Sequence, residues 1–263
     1  MTSRNTSDQP MTRRERRAIE RAERAGTKRP RPAPTPPWRS PMLLITLGAL
    51  AVGLAIIAFA VLQRPPSEPI TDELRAPIAA VPTGLAEGRT LGDANAPVTV
   101  EIWSDFQCPA CRLFAQQTEP PIVDEFVVPG TARLVYHDAA FLGQRGDPSY
   151  DESVESAAAA RVAADQGLFW QMHGWLFANW RGENEGAFRP ERLREIAAAA
   201  GLDMADYDAQ VATGGHQADV RSETAQAASD GITATPTIIV NGTAYTGALS
   251  YEQLAALIEE AAS

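Results

Sequence analysis

The chain has 263 residues, of which 44% are hydrophobic and 21% are charged, and it contains two cysteines. These values fit one domain of ordinary size or two small ones, and they exclude a disordered acidic tail or a small scaffold held together by disulfides. The formal charge of −10 is uneven: residues 1–41 contain 11 Lys+Arg against 4 Asp+Glu, so the remainder carries a net −17 and has no lysine. Because such an acidic region repels phosphates, we expect no nucleic-acid partner.

The N-terminal segment, residues 1–41, is basic and ends in a proline-rich stretch. Residues 12–26 are predicted to form a helix, and residues 30–41, with six prolines in twelve positions, are predicted to be a stiff spacer. An arm that binds nucleic acid is one interpretation of the arginines. The favoured interpretation is an anchor that faces solvent or lipid headgroups.

Residues 42–62 are predicted to form a single transmembrane helix, because they contain no charge and no proline. At about 1.5 Å per residue the helix would span roughly 31 Å, which matches a hydrocarbon core of about 30 Å. A buried core helix would show a polar face, and a cleaved signal peptide would be shorter and nearer the N-terminus. Since the arginines lie upstream, residues 1–41 are predicted to be cytoplasmic and the acidic part extracytoplasmic, at the cell membrane. Residues 63–82 are predicted to be a linker.

Residues 83–263 are predicted to form an α/β domain, a mixed sheet with helices on both faces and a helical insertion at about 145–230. The strands are predicted at 98–103, 131–136, 237–240 and 243–246. The last two form a hairpin about Asn241-Gly242, the strongest short hairpin signal. The helices are predicted at 153–165, 167–180, 190–200, 217–229 and 251–262.

Two cysteines three positions apart, Cys108 and Cys111, follow the first strand where a helix begins. The unpaired N–H groups and the dipole at a helix N-terminus stabilise a thiolate, so Cys108 is the candidate nucleophile. Pro109 suits the first helical turn, because it lacks an N–H that would have no partner there. Cys111, one turn further on, would be the more buried thiol that resolves the mixed disulfide.

Other uses of the cysteine pair are a zinc site, a copper-carrying site and an inert structural disulfide. A zinc site would need two of His137, His173 and His216, none of which has zinc-finger spacing. A disulfide over so short a loop would stabilise the fold little. An oxidising compartment and the presence of only two cysteines in the sequence favour redox chemistry, for which we expect no metal and no cofactor.

Four segments in order extend the pattern around the cysteines: residues 96–100, 104–111, 166–177 and 231–242. Together they resemble the DsbA family of thioredoxin-fold disulfide oxidoreductases, over roughly residues 83–262. The resemblance implies a thioredoxin fold interrupted by a helical domain. It also implies a cis peptide bond before Pro236, in a loop that offers backbone groups to substrate peptides. The active-site loops would contain Phe106, Pro109, Ala110, Thr235 and Pro236.

The sequence departs from the family pattern at two places. Many relatives have a Glu six residues before the first cysteine as a proton acceptor, but here Ile102 occupies that position and Glu101 precedes it. A shift of one residue in a strand reverses the face, so both Glu101 and Asp105 are candidate proton acceptors. Ala110 replaces the histidine of the most oxidising members, so we expect a potential below their approximately −120 mV.

The predicted function is an extracytoplasmic thiol–disulfide oxidoreductase that introduces disulfide bonds into exported proteins with free cysteines. A membrane-bound thiol reoxidant would regenerate the Cys108–Cys111 disulfide. The alternatives are a disulfide reductase or isomerase, and a thioredoxin-fold module that delivers a metal or binds a partner through the same pair. Trp103, Phe106 and Pro236 are candidates for an apolar rim that meets unfolded clients, unless they belong to the core.

Overall fold

The computed structural model describes residues 12–26, 45, 50, 53, 73–82, 84–143 and 149–263. The chain divides into two compact units, Met1–Pro66 and Ser67–Ser263. In the first unit the described residues include a helix, α1 (Arg13–Gly26), where the sequence predicts one. The predicted spacer at 30–41 and nearly all of the predicted transmembrane helix at 42–62 lie outside the described residues. Within the described ranges, no helix is long and apolar enough to cross a membrane.

The second unit contains a six-stranded mixed sheet in the order β1-β2-β4-β3-β5-β6. Only the central pair, β3 and β4, is parallel, while each of the other four pairs is antiparallel. The strands are β1 (Ala86–Glu87), β2 (Thr90–Leu91), β3 (Val98–Ser104), β4 (Ala132–Asp138), β5 (Thr237–Val240) and β6 (Thr243–Thr246). The two-residue strands β1 and β2 are too short to show a period, and the sequence does not predict them.

The two faces of β3 have different surroundings. Val100 and Ile102 are buried in the main core, where Ile102 pairs with Tyr136 of β4 and Ile238 of β5. Side chains alternate along a strand, so Glu101 lies on the opposite face. Ile102 belongs to the same buried core cluster as Cys111 and Phe114 of the helix that follows β3.

Residues 109–127 connect β3 to β4 as one continuous helical segment, which we call the Cys helix. It consists of α2 (Pro109–Leu113) and α3 (Glu119–Ile122), each followed by a π-helical turn, Phe114–Thr118 and Val123–Val127. Pro120 and Pro121 lie inside this segment, although proline removes an N–H and clashes with the preceding turn. A π turn widens the helix locally, which accommodates the two prolines without ending it.

The helical insertion lies between β4 and β5, and its described residues form five helices. They are α4 (Glu152–Asp165), α5 (Phe169–Ala178), α6 (Pro190–Ala200), α7 (Met204–Ala212) and α8 (Gln217–Ser229). A final helix, α9 (Tyr251–Ala262), follows the β5–β6 hairpin and begins at Ser250, whose side chain forms a reciprocal capping box with Gln253. The helix α8 packs on β4, and α9 packs on β3 and β5, so helices cover both faces of the sheet.

Residues 73–82 lie against α5, although the sequence predicts that they belong to a linker. The backbone N–H of Arg75 donates to Asn179 Oδ1, and Asn179 Nδ2 donates to the carbonyl oxygen of Arg75, each at 3.0 Å. Pro77 packs over Gly174, where an added Cβ atom would lie 3.2 Å from the proline Cβ. We call residues 73–82 the strap.

Candidate active site

Cys108 is the N-cap residue of α2 and joins the end of β3 to the Cys helix. Its backbone is extended, with φ −74° and ψ 123°, and its Sγ accepts a hydrogen bond from the backbone N–H of Cys111 at 3.4 Å. Pro109 occupies the first helical turn, as the sequence predicts. A sulfur at this position meets the unpaired N–H groups and the positive end of the helix dipole, which both favour a thiolate.

The two cysteines are free thiols in the structure and differ in their surroundings. Cys108 is 5% exposed and Cys111 is 1% exposed. The hydrogen bond from the Cys111 thiol, helped by backbone donors and opposed by burial, lowers the pKa of Cys108 to about 6. Burial raises the pKa of the Cys111 thiol well above its ordinary value, and the adjacent Cys108 adds to this effect. At neutral pH the pair is therefore one thiolate and one thiol.

The loop between α8 and β5 lies beside Cys108. The Thr235–Pro236 peptide bond is cis, and the Cys108 thiol donates to the carbonyl oxygen of Thr235 at 3.3 Å. The loop that contains Thr235 and Pro236 thus contacts Cys108, which Pro109 and Ala110 directly follow in the helical turn. The half-buried Ala110 supplies no ionisable group between the cysteines.

The two candidate proton acceptors lie in different places. Glu101 is on the face of β3 turned away from the Cys helix, where a carboxylate oxygen lies 3.4 Å from Nε2 of His137. Asp105 is buried directly before the cysteine motif, where its carboxylate accepts from the backbone N–H groups of Gln107 at 2.9 Å and Leu142 at 3.0 Å. Burial raises the pKa of Asp105 to about 7 against the effect of these bonds, and the charge on Cys108 contributes.

The predicted apolar rim of Trp103, Phe106 and Pro236 is wrong, because all three side chains are buried. The Phe106 ring is fully buried and stacks on Tyr136 at a centroid distance of 5.3 Å. Trp103 lies on the other face of the sheet, where its ring stacks on His137. Both aromatic side chains, Trp103 and Phe106, are therefore covered by other residues of the domain. Neither can form part of a surface that binds clients.

A buried acid–base pair joins the Cys helix to α5, and sequence reasoning did not single out its acidic member, Glu119. Glu119 is buried in α3, with a carboxylate oxygen 3.6 Å from Nε2 of His173 on α5. Burial raises the pKa of Glu119 to about 8 and lowers the pKa of His173 to about 3. The His173 ring is enclosed by aromatic rings, namely those of Phe106, Tyr136, Phe169, Trp170 and Phe177. At neutral pH both groups are therefore uncharged.

Two residues of the helical insertion, Trp180 and Asn184, contact the residue that precedes the nucleophile. Trp180 Nε1 donates to the carbonyl oxygen of Gln107 at 2.7 Å, and Gln107 Nε2 donates to Asn184 Oδ1 at 3.2 Å. More than 70 residues of chain separate these partners, so no local pattern in the sequence connects them.

Each of the three histidines considered for a metal site contacts its own acidic side chains, and the three histidines share none of them. His137 contacts Glu223, His173 contacts Glu119, and His216 contacts Asp165 and Asp219. Across the residues that the structure describes, no group of three or more His, Cys, Asp or Glu side chains could hold a metal ion.

Comparison with known proteins identifies similar chains. A family model described as Thioredoxin matches residues 85–260. The Na(+)/H(+) antiporter NhaA 3 of Salinispora tropica is 28% identical over 181 residues, which are 69% of this chain and 26% of that protein. Disulfide bond formation protein D of Bacillus subtilis is 25% identical over 181 residues, which are 65% of this chain and 75% of that protein. The crystal structure of oxidised BdbD from Bacillus subtilis has a TM-score of 0.60 and 22% identity, and the match covers 73% of this chain and 99% of that one.

These matches confirm the predicted thioredoxin-like α/β fold with a helical insertion. The chain spans only about a quarter to a third of the length of the first curated relatives that it matches, the three antiporters. The matches to the probable disulfide bond formation protein D of Bacillus anthracis and to disulfide bond formation protein D of Bacillus subtilis cover 70% and 75% of those proteins.

Proposed function

This chain belongs to the thioredoxin family, and from that premise we propose that it is an extracytoplasmic thiol–disulfide oxidoreductase that oxidises exported proteins. The observation that carries the proposal is the unequal protonation of two adjacent thiols. Cys108, at the N-terminus of α2, favours the thiolate, while the more buried Cys111 favours the thiol. Because the two thiols differ in this way, a client thiolate attacks the sulfur of Cys108, and Cys111 is the thiol that resolves a mixed disulfide.

In the proposed reaction, a client thiolate attacks the Sγ of Cys108 in the Cys108–Cys111 disulfide. The bond between the two cysteines breaks, a mixed disulfide forms, and Cys111 leaves and takes up a proton. The second client thiolate then attacks the client sulfur of the mixed disulfide and releases Cys108 as a thiolate. The client gains one disulfide bond, and its two electrons reside on the Cys108–Cys111 dithiol.

The direction of electron flow is proposed from the stability of the reduced form. A thiol with a low pKa is a good leaving group, and hydrogen bonds to its thiolate stabilise the reduced protein relative to the disulfide. Cys108 has such bonds, so the disulfide form tends to accept electrons from clients. Disulfide bond formation protein D of Bacillus subtilis, whose name refers to this activity, supports the direction.

Asp105 is proposed as the group that exchanges the proton of Cys111. It is a buried carboxyl group with a pKa of about 7, so it holds or releases a proton near neutral pH. It would accept the proton when the cysteine disulfide closes and return it when the disulfide opens. Glu101 lies on the opposite face of β3 and pairs with His137, which leaves Asp105 as the better placed of the two candidates.

The location is proposed from the sequence. The uncharged segment at 42–62 would anchor the protein, and the basic residues before it would keep the N-terminus in the cytoplasm. A membrane-bound thiol reoxidant would then accept electrons from the reduced pair, since an oxidase of clients must be regenerated after each turnover.

A redox titration of the purified full-length chain against glutathione tests the proposal. We expect a reduction potential well above about −200 mV, because the reduced form is stabilised at Cys108. A value near about −270 mV would instead indicate a reductase. Copper retained in stoichiometric amount through purification would contradict both redox functions and indicate metal delivery.

A further inference from the structure

We infer that Asn184, in the helical insertion, is a positioning residue for the nucleophile Cys108, which it holds in place through Gln107 and with the help of Trp180. The inference rests on the proposed function, because it assigns the insertion a part in the reactivity of the same cysteine pair. It concerns the loop between α5 and α6, which the sequence marks only as a break between two helices.

Gln107 is the residue through which the insertion acts on Cys108. It is fully buried, and its side-chain amide forms a reciprocal pair with Asn184. Gln107 Oε1 accepts from the backbone N–H of Asn184, and Gln107 Nε2 donates to Asn184 Oδ1 at 3.2 Å. Trp180 Nε1 donates to the carbonyl oxygen of Gln107 at 2.7 Å. The side chain and the carbonyl group of Gln107 are thus both held by the insertion.

The same contacts close a ring of hydrogen bonds beneath the cysteine motif. Asn184 Nδ2 donates to the carbonyl oxygen of Leu142 at 3.2 Å, and the N–H of Leu142 donates to Asp105 at 3.0 Å. Asp105 accepts from the N–H of Gln107 at 2.9 Å, which returns the ring to its start. Buried networks in which every member is satisfied rigidify the local backbone.

Trp180 also contacts the residue that follows the cysteine pair in the Cys helix. The guanidinium group of Arg112 lies 5.3 Å from the centre of the Trp180 ring, and Arg112 Nε donates to the carbonyl oxygen of Phe177 at 3.3 Å. Arg112 directly follows Cys111. The insertion therefore holds the chain on both sides of the cysteine pair, at Gln107 before it and at Arg112 after it.

The backbone conformation of Asn184 shows why this residue type is suited to the position. Its φ is +58°, in the left-handed region, where Asn is tolerated better than most residues other than glycine. This conformation directs its N–H and its side-chain amide toward the same partner, Gln107. Asn184 thus adopts the left-handed backbone conformation and also forms two hydrogen bonds through its side chain.

The consequence for Cys108 follows from the geometry of the helix cap. The N–H of Cys108 donates to the carbonyl oxygen of Asp105 at 3.0 Å, while its Sγ accepts from the N–H of Cys111 at 3.4 Å. Gln107 lies between Asp105 and Cys108, so a displacement of Gln107 alters both contacts. Weaker donation to Sγ destabilises the thiolate and hence the reduced form.

The test compares Asn184→Gly with Asn241→Gly in the full-length chain. Glycine tolerates the left-handed backbone at both sites, and each substitution removes two side-chain hydrogen bonds. Asn241 bonds to Thr99 and Pro97 at the end of β3 that is remote from the cysteines. The measurements are the pKa of Cys108, from thiolate absorbance against pH, and the equilibrium constant for reduction by glutathione.

We expect Asn184→Gly to raise the pKa of Cys108 and to lower that equilibrium constant by about threefold to tenfold, where tenfold corresponds to about 30 mV. Asn241→Gly should leave both quantities as in the wild type. Trp180→Phe, which keeps the ring but removes the N–H, should change them in the same direction as Asn184→Gly and serves if that variant does not fold. An unchanged pKa in Asn184→Gly and Trp180→Phe, or an equal change in Asn241→Gly, would overturn the inference.

Failure of the proposed function is measured separately. A wild-type potential near about −270 mV contradicts the oxidase function, whatever the variants do. The positioning role depends only on the difference between each variant and the wild type, so it is confirmed or overturned in either case.

Discussion

The thiol of Cys108 donates a hydrogen bond to the carbonyl oxygen of Thr235 at 3.3 Å, although 127 positions separate the two residues in the chain. A carbonyl oxygen accepts from the thiol but offers nothing to a thiolate. The thiolate keeps the donors that lower its pKa, namely the thiol and backbone N–H of Cys111 and the side chain of Thr235. Ionisation of Cys108 therefore breaks the hydrogen bond to the Thr235 carbonyl oxygen and leaves the sulfur with donors from both the Cys helix and Thr235.

The ionisation of Cys108 gives the first prediction. In the reduced protein, thiolate absorbance should show a transition centred near pH 6, because the Cys111 thiol lowers the pKa of Cys108 to about 6. Cys111→Ala removes this donor and should move the transition toward about 8.5, the ordinary pKa of cysteine. Cys111→Ser keeps a donor and should give an intermediate value.

The same ionisation predicts how stability depends on pH. A thiol whose pKa is lower in the folded state stabilises that state above the unfolded pKa, and the effect disappears as the pH falls through the folded pKa of about 6. The oxidised protein has no such thiol. The stability of the reduced form relative to the oxidised form should therefore decrease as the pH is lowered from 9 to 6, and a constant difference would contradict the thiolate assignment.

The roles of the two sulfurs predict what a trapping variant captures. Cys111→Ala leaves Cys108 to form mixed disulfides that no second thiol in the protein can resolve. Incubation of this variant with reduced, unfolded client proteins and a mild oxidant should accumulate adducts on Cys108, visible by non-reducing electrophoresis and peptide mapping. Cys108→Ala should accumulate far fewer, because Cys111 is almost inaccessible. Adducts mainly on Cys111 would show that the nucleophile is assigned wrongly.

Asp105 predicts the pH profile of disulfide closure. With oxidised glutathione, the step in which Cys111 attacks the mixed disulfide should accelerate through an apparent pKa near 7 in the wild type, the pKa of Asp105. Asp105→Asn should abolish this inflection and slow the step at pH 7 by at least about tenfold, since positioned bases typically contribute more than that. Glu101→Gln, on the other face of β3, should retain the wild-type profile. If Asp105→Asn and Glu101→Gln gave the same dependence of rate on pH, Asp105 would be excluded as the proton acceptor.

Glu119 predicts a loss of stability as the pH rises toward 8. Its pKa is about 8 in the folded state against an ordinary 4.5, so its contribution to stability is complete below pH 4.5, falls as the pH rises and is lost once the pH has passed through 8. Between pH 6.5 and 8.5 the free energy of unfolding of the wild type should fall by on the order of 2 kcal/mol more than that of Glu119→Gln. Urea unfolding at both values measures this. Asp124→Asn, an exposed site on the same helical segment, is the matched control.

Helix boundaries could be predicted where local residues determine them. Pro190 begins α6, and Gly201, with φ +93°, ends it, while Ser250 caps α9, so the predicted and observed bounds of these helices agree. The helix α7 has a single buried residue, Tyr207, and therefore lacks the apolar period that reveals a helix. Its Asp203 cap was the one local signal available.

The cysteine motif was visible in the sequence because its elements are adjacent in the chain. The groups that surround it were not, since they come from other elements. Trp180 and Asn184 reach Gln107 from the insertion, and His173 reaches Glu119 from α5. The burial of Phe106 could not be predicted either, because a strand end is exposed or covered according to what packs over it, and here Tyr136 and Phe177 do so.

The strap determines where a force applied to the chain upstream of residue 73 enters the domain. Arg75 is bonded to Asn179 through both its N–H and its carbonyl group, and Trp180 is the next residue. Tension applied to the chain upstream of residue 73 is therefore transmitted to the C-terminal end of α5 before it reaches the sheet. The point of mechanical attachment is one residue away from the side chain that holds the carbonyl group of Gln107.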